Sequence, residues 1–251
     1  MEPKSSKLAR ELAHWDYNRL SPTKQERAAW LESEATYIKG MIHRATGAPL
    51  KTDIKTLQIG AGPCDVIDHW HDGEKHAIDP LAEQYKEDFQ DFMDPSVNYI
   101  AGYGENLPFE DNYFDVVIVR NGLDHLDDPY KALREIYRVL KPTGALYVWT
   151  YLYSWRASAT YRLINALTKR YETEPWAFTL SQIKKCLTTT GFIPCLPAVE
   201  ERPNLFGKPK HFSVWLKQTL KKVLDFKHDR GFTCVALPRK GLYESWKLVG
   251  T

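Results

Sequence analysis

From residue 55 onward the chain alternates short apolar runs with segments of helical spacing, and this alternation constrains the fold more than any other feature. Thr56–Ile59, His76–Asp79, Val97–Ala101, Phe114–Val119 and Ala145–Thr150 have the length and character of strands. Between them, 64–71, 81–92 and 129–140 have helical spacing. Phe114-Asp115-Val116-Val117-Ile118-Val119 is apolar almost throughout rather than at every second position, the pattern of a strand buried on both faces. Such a repeat specifies an α/β fold: a doubly wound, mostly parallel sheet covered by helices on both sides and wound by right-handed crossovers. Two more helices, about 156–170 and 179–189, precede two late β segments, Phe192–Val199 and Phe232–Leu237. That late pair is expected to close one edge of the same sheet, giving about seven strands.

The first 50 residues have a different texture. Residues 5–20 read as a short amphipathic helix, and Ser21-Pro22 as the start of a second one. The second places Leu31, Ala35, Ile38 and Ile42 near one face and stops at Gly47-Ala48-Pro49. The expected organisation is therefore an N-terminal helical cap over 1–50 and one domain over 51–251, with a basic amphipathic insertion at about 203–230.

Composition narrows the function classes. Lys and Arg number 34 against 32 Asp and Glu, a balance of +2 that argues against a dedicated nucleic-acid binder. The charge is uneven, however: 207–230 alone carries +5, while the rest holds 27 Lys and Arg against 30 Asp and Glu. Trp215, Leu216, Leu220, Val223 and Leu224 share a helical face there. Such a helix either rests on an anionic membrane surface or packs on the domain as a lid, and the lid is the favoured reading. No apolar run approaches the length of a membrane span, and the N-terminus shows no apolar leader, so a cytoplasmic location is expected. Cys64, Cys186, Cys195 and Cys234 are scattered without metal-ligand spacing and read as free thiols, with no metal site.

The first chemical motif is Leu57-Gln58-Ile59-Gly60-Ala61-Gly62-Pro63-Cys64. A glycine turn between a strand and a helix lets a ligand approach the backbone with no Cβ in the way. Asp79 ends the next strand 19 residues after Gly60, where a carboxylate can accept both hydroxyls of a ribose. The dinucleotide fingerprint needs a third glycine at 65, which is Asp65, and this lowers the dehydrogenase reading.

A second stretch is more specific. Glu105-Asn106-Leu107-Pro108-Phe109, Phe114-Asp115-Val116-Val117, Asn121 through Pro129, and Glu135 through Gly144 follow one another in order. The chain here resembles the class I S-adenosylmethionine-dependent methyltransferases, in particular the group with the ubiquinone-biosynthesis-type methyltransferase domain. The likeness covers about residues 55–150 well and 179–199 more loosely. It implies a Rossmann-like methyltransferase fold, S-adenosylmethionine as cofactor and S-adenosylhomocysteine as product. It further implies that Gly60, Ala61 and Gly62 pass under the amino-acid end of the cofactor, and that Asp79, with Pro80, holds the ribose. Tyr103, Gly104, Glu105 and Asn106 would border the adenine, and Arg120 and Asn121 would lie beside the cofactor. Two positions depart from the family: Gln58 stands where an acid is usual, and Tyr103 where an Asp is usual. Gln58 still accepts a hydrogen bond but carries no charge, and Tyr103 can stack on the adenine rather than pair with it.

Methyl transfer is an in-line displacement, so the enzyme must align the acceptor with the methyl carbon and exclude water; a base is needed only for a protonated acceptor. His125, in the loop after the fourth strand, is the candidate base and Asp124 a weaker one; packing or hydrogen bonding within the loop is the competing role. Trp15, Tyr17, Tyr151, Tyr153 and Arg156 are the candidate substrate contacts, the rings for a planar or amphiphilic acceptor and Arg156 for an anionic one. The expected activity is methylation of a small molecule. The alternatives are a catalytically silent binding protein on the same fold, motivated by Gln58 and Tyr103, and a lipid or macromolecular methyltransferase. Against the last, Arg120-Asn121-Gly122-Leu123 is not the Asn/Asp-Pro-Pro-aromatic motif of base amino-group methyltransferases. No motif speaks to oligomeric state.

Overall fold

The apolar runs become neighbouring strands of one sheet in the computed structural model, which describes residues 3–15, 23–168, 173–201 and 230–240. The order along the chain is α1 (Pro3–His14), α2 (Lys24–Thr46), β1 (Lys55–Ile59), β2 (Glu74–Asp79), α3 (Ala82–Asp88), β3 (Val97–Ala101), β4 (Phe114–Arg120), α4 (Pro129–Val139), β5 (Leu140–Tyr151), α5 (Trp155–Thr168), α6 (Leu180–Thr189), β6 (Phe192–Glu201) and β7 (Arg230–Pro238). The seven strands lie in the order β3-β2-β1-β4-β5-β7-β6. β1 to β5 pair in parallel, and β7 runs antiparallel between β5 and β6. The late β pair thus closes one edge, as expected. Tyr17 and the basic insertion through residue 229 lie outside the described residues.

The strand faces explain the layers. Successive side chains on a strand alternate sides. Val116 and Ile118 of β4 pack in one cluster with Leu31, Ile38 and Ile42 of α2, while Val117 and Val119 pack in another with Leu133 and Ile136 of α4. All of these side chains are fully buried. α2 is therefore a layer of the sheet domain, and α1 stands over the strands' carboxyl ends. α2 stops where anticipated: Gly47 adopts a left-handed φ of 73°, and its N–H donates to the His43 carbonyl at 2.9 Å.

Three elements are shorter or longer than the spacing suggested. The helix expected over 64–71 is a 3-10 turn, Val66–His69, because Asp65 and Asp68 form a reciprocal cap that satisfies its first amides. The chain then turns at Gly73 (φ +64), where a Cβ would lie 1.8 Å from the Ile54 carbonyl oxygen. The helix over 81–92 ends at Asp88 and a 3-10 turn follows, with Phe89 and Phe92 buried. β5 begins at Leu140 rather than Ala145, following α4 directly, with a register shift against β4 between Phe114 and Val116.

The most recognisable letters of the sequence pin this frame. Asp115 accepts from the Lys55 backbone N–H (2.8 Å) and from Lys141 Nζ (2.8 Å), joining the starts of β1 and β5. Glu135 accepts from the Leu107 N–H at 3.0 Å and pairs with Arg138, whose guanidinium donates to the carbonyls of Leu107 (3.0 Å) and Phe109 (2.7 Å). Glu105 Oε1 accepts from the Asp127 and Asp128 amides at 2.8 and 3.1 Å. Asp128 in turn caps α4, with Pro129 at its first turn.

Candidate functional site

The carboxyl ends of β1, β2, β3 and β4 open into a cavity of about 430 Å³, within the usual range for small-molecule sites. Its floor is the glycine turn. Gly60 and Gly62 both take left-handed φ values, +66° and +60°, which the sequence satisfies with residues lacking Cβ. The Gly60 N–H is held by the Ile78 carbonyl at 2.9 Å, and the Gly62 N–H donates to Asp79 Oδ2 at 3.1 Å. Asp79 Oδ1 accepts from the Leu81 N–H at 2.9 Å, so one carboxylate fixes the loops after β1 and β2 together. Burial lifts the Asp79 carboxyl above its ordinary range, and the two amides hold part of that shift back.

Asn121 closes the end of β4 in a left-handed conformation (φ 51°), tolerable for asparagine, with its N–H on the Trp149 carbonyl at 2.8 Å. Beside it, Arg120 pairs with Asp65 (2.7 Å) and Glu34 (3.6 Å) and lies 4.7 Å from the centre of the Trp30 ring. This arrangement ties α2 to the segment after the glycine turn.

α1 forms the roof. Trp15 lies against Gly62 so closely that a Cβ there would be 2.7 Å from Trp15 Cζ2, and it meets Tyr85 edge-on at 6.3 Å. Lys7 Nζ pairs with Asp127 at 2.8 Å and donates to the His125 carbonyl at 2.9 Å. Glu11 Oε1 lies 2.9 Å from His125 Nδ1. Burial alone would lower the His125 pKa, but the Glu11 hydrogen bond and the charges of Asp124, Glu11 and Glu174 outweigh it and raise the value to about 9. The imidazole is thus held protonated at neutral pH by the roof helix.

Of the residues singled out from the sequence, Trp15, Gly60, Ala61, Gly62, Asp79, Pro80, Tyr103, Gly104, Glu105, Arg120, Asn121 and His125 line this cavity. Gln58 lies beneath it, fully buried, with Oε1 accepting from the Ile67 N–H at 3.0 Å. Asn106 closes a turn by donating its N–H to the Tyr103 carbonyl at 3.1 Å. Asp124 is buried behind the loop and acts on His125 through its charge. Tyr151 packs on Trp149 at 4.8 Å and Tyr153 on Tyr161 at 5.5 Å, both away from the cavity. Arg156 lies over the exposed Trp155 on α5. Sequence reasoning missed Lys7, Glu11, Arg27 and Glu174 on the cavity wall. The spacing of Lys7 and Glu11, four apart on an amphipathic helix, was the available signal for two of them.

Fold and cavity together define a Rossmann-like methyltransferase domain. The residues present fit S-adenosylmethionine on physical grounds: a glycine floor, a carboxylate at the end of β2, and three buried atoms of lining residues with no partner among the described residues. Those atoms are an acceptor, Glu105 Oε2, and two donors, Arg27 Nε and Arg120 Nε. Among the described residues no group of His, Cys, Asp or Glu is arranged to hold a metal, and no helix is long and apolar enough to cross a membrane.

Comparison with known proteins specifies the class. Residues 57–148 match the family model described as "Methyltransferase domain", so this part of the chain carries a methyltransferase domain, for which S-adenosylmethionine is the cofactor. The ubiquinone/menaquinone biosynthesis C-methyltransferase UbiE of Campylobacter jejuni is 29% identical over 143 residues, 53% of this chain and 60% of that protein. UbiE of Serratia proteamaculans is 51% identical over 53 residues, 21% of each chain. The chain thus spans between about a fifth and three fifths of the length of these two relatives. Among solved structures, a candidate methyltransferase of Bacillus halodurans superposes with a TM-score of 0.60 at 17% identity, covering 82% of this chain and 97% of its own. The [4+2]-cyclase SpnF superposes at 0.51 with 16% identity, covering 80% of each chain. One fold therefore carries more than one reaction, and the chemistry must be read from the site.

Proposed function

We propose that this chain is an S-adenosylmethionine-dependent methyltransferase acting on a small-molecule acceptor. The observation that supports it most is the cavity itself. Gly60, Gly62, Asp79, Tyr103 and Asn121 converge on it from four strand ends, and α1 roofs it into a space of small-molecule size. When bound, S-adenosylmethionine supplies an electrophilic methyl group. The protein's own residues then do three things. Gly60 leaves its backbone open to the amino-acid end while Trp15 lies against Gly62, Asp79 offers its remaining lone pairs to the ribose, and α1 with Trp15 excludes water from the reacting atoms.

His125 is read here as an imidazolium while Glu11 is docked on it, and so as a roof anchor rather than a resting general base. Catalysis then rests on alignment, and Asp124 contributes only through the charge of His125. A roofed cavity of this size favours a small acceptor over a polymer, which an open basic cleft would suit better.

The test is transfer of a labelled methyl group from S-adenosylmethionine into a cell extract separated by molecular size. Label in the low-molecular-weight fraction supports the reading, and label in protein or RNA overturns the acceptor class. Cofactor binding without label in any fraction would leave a silent binding protein.

A further inference from the structure

Exposed apolar side chains are concentrated on one helix. Trp155, Leu163 and Leu167 of α5 are 71%, 61% and 76% exposed, more than any other large apolar side chain among the described residues. At about 100° per residue, Trp155, Ala159, Leu163, Ala166 and Leu167 fall within about 120° of arc and make a continuous stripe along the helix. The opposite side of α5 is committed to the domain. Ala157, Ser158 and Tyr161 are buried there, with Ser158 Oγ donating to the Ala177 carbonyl and Tyr161 Oη to the Glu174 carbonyl, each at 2.7 Å. Thr173 and Glu174 line the cavity, so the helix that carries the stripe also braces the cavity wall. A helix at the surface of a globular domain normally turns its large apolar residues inward. α5 is held by Ala, Ser and Tyr, and it turns Trp and two Leu outward.

The stripe is edged by cations. Arg162 falls beside it on the helix, and the Arg156 guanidinium lies 5.3 Å from the centre of the Trp155 ring. Tyr151 through Arg170 contains four Lys and Arg and no Asp or Glu, whereas the rest of the chain holds 30 Lys and Arg against 32 Asp and Glu. That segregation decides among occupants. A second copy seated here through the same face would offer Arg156 and Arg162 no carboxylate, and the 207–230 segment carries +5 of its own. An anionic lipid surface complements both features: the acyl boundary takes Trp and Leu, and the headgroups take the arginines. We infer that this face of α5 docks on an anionic lipid bilayer, with the helix lying in the plane of the headgroups. The Arg156–Trp155 pair suits that depth, since the ring sits at the interface while the guanidinium reaches the phosphates.

The test is flotation of the full chain with vesicles of phosphatidylcholine alone and of phosphatidylcholine with phosphatidylserine. The wild-type chain should bind the anionic vesicles at least about tenfold more strongly than the neutral ones, and added salt should weaken that binding. Leu163→Ser with Leu167→Ser, and separately Arg156→Gln with Arg162→Gln, should each lower it by about tenfold or more. All four side chains are exposed, so the unfolding temperature should not move. A fall in it with the Leu substitutions would show that the stripe packs against another part of the chain, and would overturn the proposal. Binding that survives both double substitutions would overturn it too, by assigning the lipid contact to another surface. So would failure of the wild-type chain to bind either vesicle, or equal binding to both. A wild-type dimer in analytical ultracentrifugation that Leu163→Ser with Leu167→Ser turns into a monomer would also contradict it, because a second copy would then cover the face.

Discussion

The sheet body and its helical roof face the same cavity but use charge in opposite ways. In the body, charged side chains are consumed by the frame. Asp115 joins β1 to β5, Glu135 and Arg138 hold the 107–109 loop, and Asp68 accepts from Tyr99 and from the Asp65 and Asp94 amides. Asp79, Glu105, Asp65 and Arg120 hold the frame and also face the cavity. In the roof, Lys7 and Glu11 reach across to the loop after β4 as side-chain pairs that remain partly exposed. The body is therefore preorganised, whereas the roof is fastened by contacts of the kind that open at modest cost.

The largest expected effect breaks the body at its most exacting point. Gly62→Val forces a β-branched residue into a left-handed conformation, costing about 1–2 kcal/mol from the backbone alone. It also drives a side chain into Trp15. Loss of S-adenosylhomocysteine binding, measured by calorimetry, is the expected result. Asp79→Ala comes next. It leaves the Gly62 and Leu81 amides without their acceptor and the ribose without a partner, so affinity should fall by about 1–3 kcal/mol. An unchanged affinity would remove Asp79 from the site.

Arg138→Ala separates frame from function. It should lower the unfolding free energy by about 1 kcal/mol, a discounted value for a partly exposed group, while leaving cofactor affinity intact. A matching loss of affinity would show that the 107–109 loop is part of the binding site.

Glu11→Gln has the smallest effect on stability, less than about 1 kcal/mol, but sharpens the contrast most. The His125 pKa of about 9 should fall once the Glu11 carboxylate is gone, as followed by NMR of the imidazole. Because that pKa is raised in the folded protein, the pair's contribution to roof docking is complete below the ordinary imidazole value of about 6.5 and is lost as pH rises through about 9. Hydrogen exchange of the α1 amides should accordingly quicken above pH 9 in the wild-type chain more than in the variant.

The same division decides what could be read from the sequence. The strands announced themselves because a strand buried on both faces has little choice but a continuous apolar run, as in Val116 to Val119. The glycine turn and Asp79 were legible because left-handed backbone and a strand-end carboxylate each demand a particular residue type. Gln58 and Asn106 were placed in the site by family resemblance, yet their side chain and backbone serve the turns beneath and beside it. Tyr151, Tyr153 and Arg156 looked equally suited to a ligand, but aromatic residues after a strand fill packing just as readily, and here Tyr151 packs on Trp149 and Tyr153 on Tyr161, while Arg156 lies exposed over Trp155. Arg27 and Glu11 were missed for the converse reason. Their roles depend on where α1 and α2 land relative to the sheet, which local spacing does not encode.

Calorimetric titration of the full chain with S-adenosylhomocysteine tests most directly whether this cavity is a cofactor site. One-to-one binding that disappears in Gly62→Val and survives in Arg138→Ala is the expected result. Neither heat nor a thermal shift at millimolar ligand, or binding indifferent to Gly62→Val, would contradict it.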